Sequence, residues 1–519
     1  MALRAITPKI IYENDSDTWV NRHQNVIQPY DKLFDVNNPP YAHVGDSQLP
    51  YLEKTTAALQ YLIAEAVKDQ VRLRAFGGKW SLSTAPVTKD RLVNTRPLNW
   101  LSFVEASFKE PAYTGPFENL VFMQCGVSVQ EANEGLARHN LALKTSGASN
   151  GQTMVGAIST GTHGSAFNFG AMQEYVVGIH LITGANRSVW LERSSRPVLT
   201  EHFAQALGAE LKRDDALFNA ALVSFGSFGI VHAVLVETEP LYLLNATRWR
   251  EPYTAADSPL RKAMTTLDFS GLPMPQPDKT PHHFEVIANL HDMDHGAYVT
   301  TMYKQAYTPD YDAPGPPTFT GVSPGEDLLG LIGTLTDLIS GNPALVTTLV
   351  NSLISAKLPV FKNQLGMPGE MFNTTTLSGK GMSIELGVEP KHSTDILDFV
   401  LSSAEVKAYA GVVGIRYVKS SEATLAFTRF APVTCTLEFQ GVHSDTTTAL
   451  YNFIWAELER RNIPYTLHWG QMNNFTEQRV QSMYGPARDA WLRSREALLD
   501  AQTRAVFNSP FLESAGLAR

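Results

Sequence analysis

Hydrophobic positions along the chain switch between a helical spacing of three to four residues and the two-residue spacing of strands. Residues 55–70 (TTAALQYLIAEAVKDQ) have helical spacing, and residues 71–78 (VRLRAFGG) read as a strand that ends in a turn. Ser128 with Glu131 three residues later has the spacing of a capping box, which predicts a helix start. Residues 172–192 predict a hairpin around Gly184, Ala185 and Asn186. Interleaved strands and helices predict an α+β or α/β first half.

The second half of the chain has a different pattern. Residues 273–324 are crowded with proline, which disfavours regular structure. Residues 326–360 form two short apolar runs broken at Gly341, Asn342 and Pro343. They predict a helical pair, either packed on a sheet or forming an apolar lid over a substrate. Beyond residue 380, strand-like and helical runs predict a mainly antiparallel sheet covered by helices on one face, so the fold class is α+β.

The charge and cysteine content of the chain limit the kinds of ligand and partner that it is expected to bind. The 519 residues carry a net charge of −9, which disfavours binding to nucleic acid. Cys125 and Cys435 lack metal-ligand spacing, so no metal site is expected and both thiols are expected to be buried. The N-terminus becomes polar too early for a secretory signal, and no run of about 18 apolar residues occurs. We therefore expect a cytoplasmic protein without a membrane span.

The segment from Lys144 to Gly184 is the most informative part of the sequence. Glycines alternate there with serine, threonine and asparagine, a composition that lets backbone N–H groups and hydroxyls surround an anion. Neither GxGxxG nor a P-loop is present. The residues alone therefore indicate either a phosphate- or cofactor-binding loop or a tight turn.

Three motifs carry a family resemblance. GQTMVGAISTGTHGS (151–165), YVVGIHLITG (175–184) and SFGSFGIVHAVLVE (224–237) resemble the FAD-binding domain of the vanillyl-alcohol oxidase and p-cresol methylhydroxylase superfamily. LHWGQ (467–471) and FNSPFLE (507–513) are most similar to its branch of aldonolactone oxidases, alditol oxidases and type II cholesterol oxidases.

The resemblance implies a two-domain flavoprotein whose FAD-binding domain consists of two α/β subdomains. That domain would span residues 1–240. A cap domain would span residues 241–465, with the proline-rich loop and the apolar helical pair at 270–362, and residues 466–519 would return to the FAD domain.

The resemblance also assigns the cofactor contacts. It places the FAD pyrophosphate along one loop, the flavin, ribityl and phosphate groups along the glycine-rich segment, and the adenine side at a strand. These residues are Phe76, Gly77, Gly78, Lys79, Trp80, Ser81, Ser146, Gly147, Gly151, Gln152, Thr153, Gly156, Ser159, Thr160, Thr162, His163, Ile230 and Val231.

The first loop departs from the family pattern. Many relatives read R-x-x-G-x-G-H-S there and bond the histidine covalently to the flavin, whereas this chain has Trp80 at that position. Indole offers no useful nucleophile, so we expect non-covalent FAD, with Trp80 packed against the flavin ring. Lys79 either lends charge to the pyrophosphate or faces solvent. Cys125 is not expected to supply a covalent attachment.

Alcohol oxidation by flavin needs a hydride acceptor, a partner for the hydroxyl proton and positive charge near the flavin N1 and O2 atoms. Relatives supply E-x-R and H-W-G-K motifs, where this chain reads GIR and HWGQ. Arg416 keeps the cation, Gly414 lacks the carboxylate, and Gln471 replaces the lysine. The candidate catalytic residues are therefore Arg416, Glu438, His468 and Gln471.

Candidate bases are Glu438, His468 and Glu385. A two-residue strand period puts Glu438 on the face opposite Leu437 and Cys435. His468 is either catalytic or structural, and Glu385 either substrate-side or structural. His163 is interpreted as supporting the loop.

The first hypothesis is FAD-dependent oxidation of an alcohol group on a fairly apolar small molecule, with dioxygen as acceptor and hydrogen peroxide as product. A polyol or aldonolactone oxidase or dehydrogenase is the alternative within the enzyme class. The second hypothesis is a flavin-fold binding protein that has lost redox turnover, which the missing carboxylate and lysine favour.

Overall fold

The computed structural model describes residues 3–6, 10–40, 49–312, 342–373 and 381–519, which contain three main sheets. We call them the N-terminal, middle and cap sheets. In spatial order the N-terminal sheet contains Leu3–Ile6, Ile11–Asn14, Lys32–Val36, Arg91–Asn94 and Leu73–Phe76. The middle sheet contains Glu210–Arg213, Arg187–Glu192, Val176–Gly184, Ile230–Glu237, Leu120–Gln124 and Leu101–Phe103.

The cap sheet has eight strands, whose pairing is antiparallel. Its spatial order is Phe361–Gly366, Tyr242–Glu251, Ala297–Ala306, His283–Ala288, Gly411–Lys419, Val433–Val442, Gly381–Val388 and Thr466–Leu467. Two small antiparallel pairs complete the described strands: Leu141–Ala142 with Glu239–Pro240, and Thr18–Val20 with Ile27–Pro29.

The helices lie between and outside these sheets. In chain order they are Leu49–Asp69, Val129–Ala137, Met154–Thr160, Glu201–Ala206, Asp215–Leu222, Pro259–Thr266, Pro343–Lys357, Pro368–Met371, Ser393–Leu401, Asp445–Arg460, Glu477–Tyr484, Pro486–Leu498, Ala501–Val506 and Pro510–Ser514. Among these described helices none is long and apolar enough to cross a membrane. The α+β fold class is confirmed.

Local sequence signals account for several elements. The first long helix buries Leu52, Leu59, Leu62 and Ile63, which recur at helical spacing. The predicted capping box is present, because the Ser128 hydroxyl accepts from the backbone of Glu131 while the Glu131 carboxylate accepts from the backbone of Ser128. The predicted hairpin is also present, with strands Val176–Gly184 and Arg187–Glu192.

The cap sheet has two unlike faces. Ile415, Leu437 and their neighbours lie in the hydrophobic core with residues of the helices Ser393–Leu401 and Asp445–Arg460. Successive strand residues alternate between faces, so Arg416 and Glu438 lie on the opposite face. That face is turned towards the N-terminal and middle sheets and their helices, which we call the FAD half after the cofactor that the motifs predict. The predicted antiparallel sheet covered by helices is therefore confirmed, including the orientation of Glu438 away from Leu437.

The predicted apolar helical pair is described only in its second half. Val350, Ile354 and Leu358 pack against Val412 and Val442 of the cap sheet. Strand parity puts Val412 on the same face as Arg416, so this helix covers sheet next to the Arg416 region. The first apolar run, up to residue 341, and residues 313–324 of the proline-rich stretch lie outside the described residues.

The last helices pack on the FAD half. Trp491 Nε1 donates to the carbonyl of Val223 at 3.1 Å, and Arg495 Nε donates to the carbonyl of Ser227 at 3.0 Å. The cap sheet itself extends from Tyr242 to Leu467. The domain boundaries at residues 240 and 465 stay a prediction.

Candidate functional site

A large cavity lies between the FAD half and the polar face of the cap sheet. Its empty volume is about 1540 Å³ including the open mouth. Loops 75–82, 147–163 and 225–231 form one side, and strands of the cap sheet form the other. The predicted residues on its wall are Phe76, Gly77, Gly78, Lys79, Trp80, Ser81, Gly147, Gln152, Thr153, Gly156, Ser159, Thr160, Thr162, His163, Ile230, Val231, Arg416, Glu438, His468 and Gln471.

Two predicted contacts are not on this wall. Ser146 is buried and its hydroxyl donates to the carbonyl of Gly147 at 3.1 Å. Gly151 lies behind Trp80, where an added Cβ would come within 2.4 Å of the indole Cζ2. Both residues therefore support the wall from behind.

Glycines let the two cofactor-side loops touch. An added Cβ at Gly77 would lie 2.3 Å from Oγ1 of Thr153, and one at Gly78 would lie 2.7 Å from the carbonyl oxygen of Gly151. Thr153 in turn accepts a hydrogen bond from the backbone of Gly156 at 3.2 Å. The glycine pair is therefore required by loop-to-loop packing, and the backbone that lines the cavity follows from it.

Trp80 and Lys79 are held by a strand pair that sequence reasoning missed. The Arg22 guanidinium lies 4.5 Å from the centre of the Trp80 ring. Lys79 has a positive φ of 59°, and its ammonium lies over the rings of Trp19 and Phe76 at 5.7 and 5.3 Å. Burial lowers the pKa of Lys79, which Asp35 partly opposes. The Lys79 side chain is thus packed on aromatic rings and not fully solvated.

The turn around residues 21–25 is tied to this loop by hydrogen bonds. Asn21 Nδ2 donates to the carbonyl of Ser81, and Asn25 Nδ2 donates to the carbonyl of Leu82, both at 2.9 Å. The backbone of Arg22 donates to the carbonyl of Lys79 at 2.9 Å. Nothing in the spacing of these polar residues along the sequence predicts the contact.

The C-terminal HWGQ motif is fixed against the same loop. The backbone of Leu82 donates to the carbonyl of Gly470 at 2.8 Å, and the Ser83 hydroxyl donates to the carbonyl of Trp469 at 2.8 Å. Trp469 is buried, and its Nε1 donates to the carbonyl of Leu425 at 2.7 Å. The motif therefore places His468 and Gln471 at the cavity wall from a rigid turn.

Arg416 lies at the cap side of the cavity among three carboxylates. Its Nε donates to Oε1 of Glu285 at 2.8 Å, its Nη1 donates to Oε2 of Glu438 at 2.6 Å, and Oε1 of Glu385 lies 3.8 Å from Nη1. Burial opposes the charge of Arg416, but the three carboxylates together raise its pKa above the ordinary value. Sequence reasoning missed Glu285, although its place in the apolar strand HFEVIA is a signal for a paired carboxylate.

Glu285 is held ionised by the same contact. Burial alone would raise its pKa, but Arg416 together with His283 and Arg248 lowers the pKa of Glu285 to about 2. Glu285 stands opposite Arg416 in the register of the two adjacent strands. The pair is therefore formed across the sheet.

The Glu438 carboxylate is saturated with donors. Besides Arg416 Nη1, its Oε2 accepts from Nε2 of Gln440 at 2.7 Å. Its Oε1 accepts from Nε2 of Gln471 at 3.0 Å and from the Ser383 hydroxyl at 3.3 Å. With four hydrogen-bond donors around it, the Glu438 carboxylate anchors Arg416, Gln440, Gln471 and Ser383 at the cavity wall.

Two histidines next to the cavity differ in their hydrogen bonds. His163 Nδ1 lies 2.7 Å from the carbonyl of Gly164, and its Nε2 lies 3.0 Å from Oε1 of Glu385. His163 therefore links the glycine-rich segment to Glu385 of the cap sheet. Burial opposes ionisation of Glu385, but His163, His468 and Arg416 together lower its pKa below the ordinary value.

His468 has the opposite arrangement. The backbone of Gly470 donates to its Nδ1 at 2.9 Å, so the proton of the neutral ring lies on Nε2. Burial lowers the pKa of His468 to about 4, although Glu385 acts in the other direction. At neutral pH His468 therefore contributes an N–H donor.

Cys125 also lies on the cavity wall, close to the loop from which sequence reasoning separated it. It directly follows the strand Leu120–Gln124 and is buried. Burial raises the pKa of its thiol to about 12, so the thiol is not a nucleophile at neutral pH.

The cavity fits FAD in its chemistry. Backbone of several glycines and the hydroxyls of Thr153, Ser159, Thr160 and Thr162 line the FAD half and suit phosphate and ribityl oxygens. The side-chain oxygens of Gln152 and Gln471 are buried acceptors without a protein partner, and both residues lie on the wall. Buried acceptors of this kind favour a donor from outside the chain, which a bound ligand can supply. The fold and cavity thus define a two-domain FAD-binding protein.

Comparison with known proteins agrees with this class. A family model described as "FAD binding domain" matches residues 52–191. The chain is 27% identical over 203 residues to D-arabinono-1,4-lactone oxidase of Debaryomyces hansenii, covering 38% of this chain and 33% of that protein. It is 27% identical over 189 residues to L-gulono-1,4-lactone dehydrogenase of Mycobacterium tuberculosis, covering 36% of this chain and 37% of that protein. The chain therefore spans about a third of the length of these relatives.

Solved structures show the same fold over the whole chain. Cholesterol oxidase from B. sterolicum superimposes with a TM-score of 0.68 at 13% identity, covering 99% of both chains. The matched FAD-binding domain and the shared fold agree with the resemblance to the vanillyl-alcohol oxidase and p-cresol methylhydroxylase superfamily that the motifs indicated. Its cofactor is FAD.

Proposed function

We propose that the protein oxidises a CH–OH group of a small molecule, with dioxygen as the electron acceptor and hydrogen peroxide as the product. The observation that carries this proposal is the Arg416 cluster at the cap side of a cavity whose other side fits FAD. The bound flavin supplies the hydride acceptor for such a reaction. Substrate would enter between the flavin and the polar face of the cap sheet.

The residues on that face would orient the reacting group. Glu285 and Glu438 hold the Arg416 guanidinium by Nε and Nη1. The remaining nitrogen, Nη2, lies beside Gly414, where an added Cβ would be 3.2 Å away. Space at Gly414 would let a substrate oxygen approach this cation.

The polar residues of the cavity wall indicate the polarity of the substrate. The cap sheet and the HWGQ turn contribute Glu385, Arg416, Glu438, Gln440 and Gln471 to the cavity. Charged and amide groups favour a hydroxyl-rich substrate such as a polyol or aldonolactone over the fairly apolar molecule expected from the sequence. The sequence relatives named as lactone oxidases support the same choice.

The proposal can be tested by measuring flavin reduction and hydrogen peroxide formation with a panel of alcohols. The purified protein should be yellow, and one member of a panel of alditols, aldonolactones and sterols should bleach the flavin anaerobically and yield peroxide in air. A protein that binds FAD but is bleached by none of these compounds would favour the redox-silent alternative. Anaerobic bleaching without peroxide in air would indicate a dehydrogenase, the activity named for the mycobacterial relative.

We also propose that FAD is bound without a covalent link. Trp80 occupies the position of the linking histidine, and the Cys125 thiol is held protonated by burial. Acid precipitation should therefore release all flavin into the supernatant. Yellow colour in the pellet of the wild type, lost in the Cys125→Ala variant, would show instead that Cys125 forms a bond.

A further inference from the structure

The HWGQ turn presents one donor and one acceptor to the cavity, and no assigned role uses them together. His468 Nε2 carries the ring proton because Nδ1 accepts from the backbone of Gly470. Among the described residues no acceptor is found for this N–H, although His468 lies on the cavity wall. A donor on the cavity wall favours a ligand oxygen as its partner.

Gln471 supplies the acceptor. Its Nε2 donates to Oε1 of Glu438, a carboxylate that also receives Arg416 and can only accept. The amide orientation is therefore fixed, because a flipped amide would set two oxygens against each other. Its Oε1 is left buried on the cavity wall without a protein partner.

The two side chains are held in one rigid turn. The backbone of Gln471 donates to the carbonyl of His468 at 3.2 Å, and the carbonyl of Gly470 accepts from the backbone of Leu82. Packing of His468 against Phe427, with ring centres 4.7 Å apart, restrains the imidazole. Donor and acceptor are therefore positioned before any ligand binds, which lowers the entropic cost of recognition.

We propose that His468 Nε2–H and Gln471 Oε1 form a recognition pair for a ligand edge that carries an acceptor oxygen next to a donor hydrogen. Two groups in this cavity have that chemistry: a hydroxyl of the substrate and the imide edge of the flavin, where C=O lies beside N3–H. The proposal rests on FAD binding and on the proposed alcohol oxidation, and it assigns Gln471 an acceptor role that a lysine could not fill.

Four variants isolate the pair. His468→Gln keeps an N–H donor close to the Nε2 position, whereas His468→Asn keeps an acceptor for the backbone of Gly470 and loses that donor. Gln471→Met removes the acceptor together with one hydrogen bond to Glu438. Gln440→Met removes the other amide bond to Glu438 and leaves the pair intact. The two methionine variants therefore separate recognition from support of the carboxylate.

The first arm measures affinity of the apoprotein for FAD and for 3-methyl-FAD, which lacks the imide hydrogen, and it needs no turnover. If the pair binds the imide edge, the wild type should prefer FAD by about tenfold, the value of one hydrogen bond. Gln471→Met should lose this preference, while Gln440→Met should keep it.

The second arm titrates FAD-loaded protein with xylitol under anaerobic conditions and follows the flavin absorbance. If the pair binds substrate, both flavins should bind equally, and His468→Asn and Gln471→Met should weaken xylitol about tenfold or more. His468→Gln and Gln440→Met should have smaller effects. The proposal would be overturned if the wild type, His468→Asn and Gln471→Met all bound FAD and 3-methyl-FAD with equal affinity and also bound xylitol with the same affinity as one another. That result would count against the pair even if the protein oxidised another alcohol.

Discussion

Gly414 and Glu438 are direct partners in the register of two antiparallel strands of the cap sheet. Gly414 stands where the E-x-R motif of the relatives has a glutamate, and its direct partner on the neighbouring strand is the glutamate Glu438. Glu385 is the next partner of Glu438 across the sheet, and Glu285 is the partner of Arg416 on its other side. Arg416 therefore obtains its anions from neighbouring strands, where a single-strand motif cannot show them.

Restoring a carboxylate at residue 414 should destabilise the protein. An added side chain would start 3.2 Å from Arg416 Nη2 and would set a fourth carboxylate beside Glu438. We expect Gly414→Glu to lower the free energy of unfolding by about 2 kcal/mol or more relative to Gly414→Gln, which has the same shape without the charge. Urea unfolding of both variants checks this, and equal stability would show that the site accepts another anion.

Removing Arg416 should leave buried carboxylates unpaired. We expect Arg416→Ala to lower the free energy of unfolding by about 3–5 kcal/mol, which is the cost of removing one partner of a buried ion pair. Arg460→Ala breaks an exposed pair with Glu457 and should cost at most about 1 kcal/mol. Urea unfolding compares the two variants.

Arg416→Ala should also slow the reaction. Where Arg416→Ala still folds and binds FAD, anaerobic flavin reduction by substrate should be slower on the order of 100-fold, as for loss of one charge-stabilising donor. Stopped-flow absorbance measures this rate. An unchanged rate would remove Arg416 from the reaction and leave it a structural role.

Gly151 should be intolerant of a side chain because it supports Trp80. An alanine Cβ would lie 2.4 Å from the indole Cζ2, so Trp80 or the glycine-rich loop must shift. We expect Gly151→Ala to weaken FAD binding by about tenfold or more, in line with overpacking strain of about 1–3 kcal/mol. Gly184→Ala is the control, since its nearest neighbour would be 3.7 Å away. Fluorescence titration of apoprotein with FAD measures both affinities.

Acid stability should depend on Glu285. Its pKa is lowered from 4.5 to about 2 in the folded protein, so its contribution to stability is fully present above pH 4.5 and is lost as pH falls through 2. Between pH 5 and 3 the unfolding free energy of Glu285→Gln should therefore fall less steeply than that of the wild type, by up to about 1.4 kcal/mol per pH unit.

The exposed carboxyl of Glu53 provides the control for this measurement. Glu53→Gln should keep the wild-type slope in urea unfolding at pH 3, 4 and 5. A Glu285→Gln slope equal to that of the wild type would mean that Glu285 is not an ionised partner of Arg416.

The sequence by itself determined the class of the protein and most of its local structure. Periodicity predicted the long first helix, the hairpin at 176–192 and the two unlike faces around Glu438, because these depend on residues close together in the chain. Glycine-rich motifs predicted the FAD half, since close backbone approach restricts composition locally.

Only the tertiary structure decided which residues contact one another in the site. The anions around Arg416 come from three strands that lie between residues 283 and 442, and the support for Trp80 comes from Arg22 in a hairpin near the N-terminus. Sequence spacing carries no signal for such contacts, because strand order and register fix them through the packing of the whole sheet. The same packing made Glu438 a saturated anchor and His468 a donor, where sequence alone had left each as a candidate base.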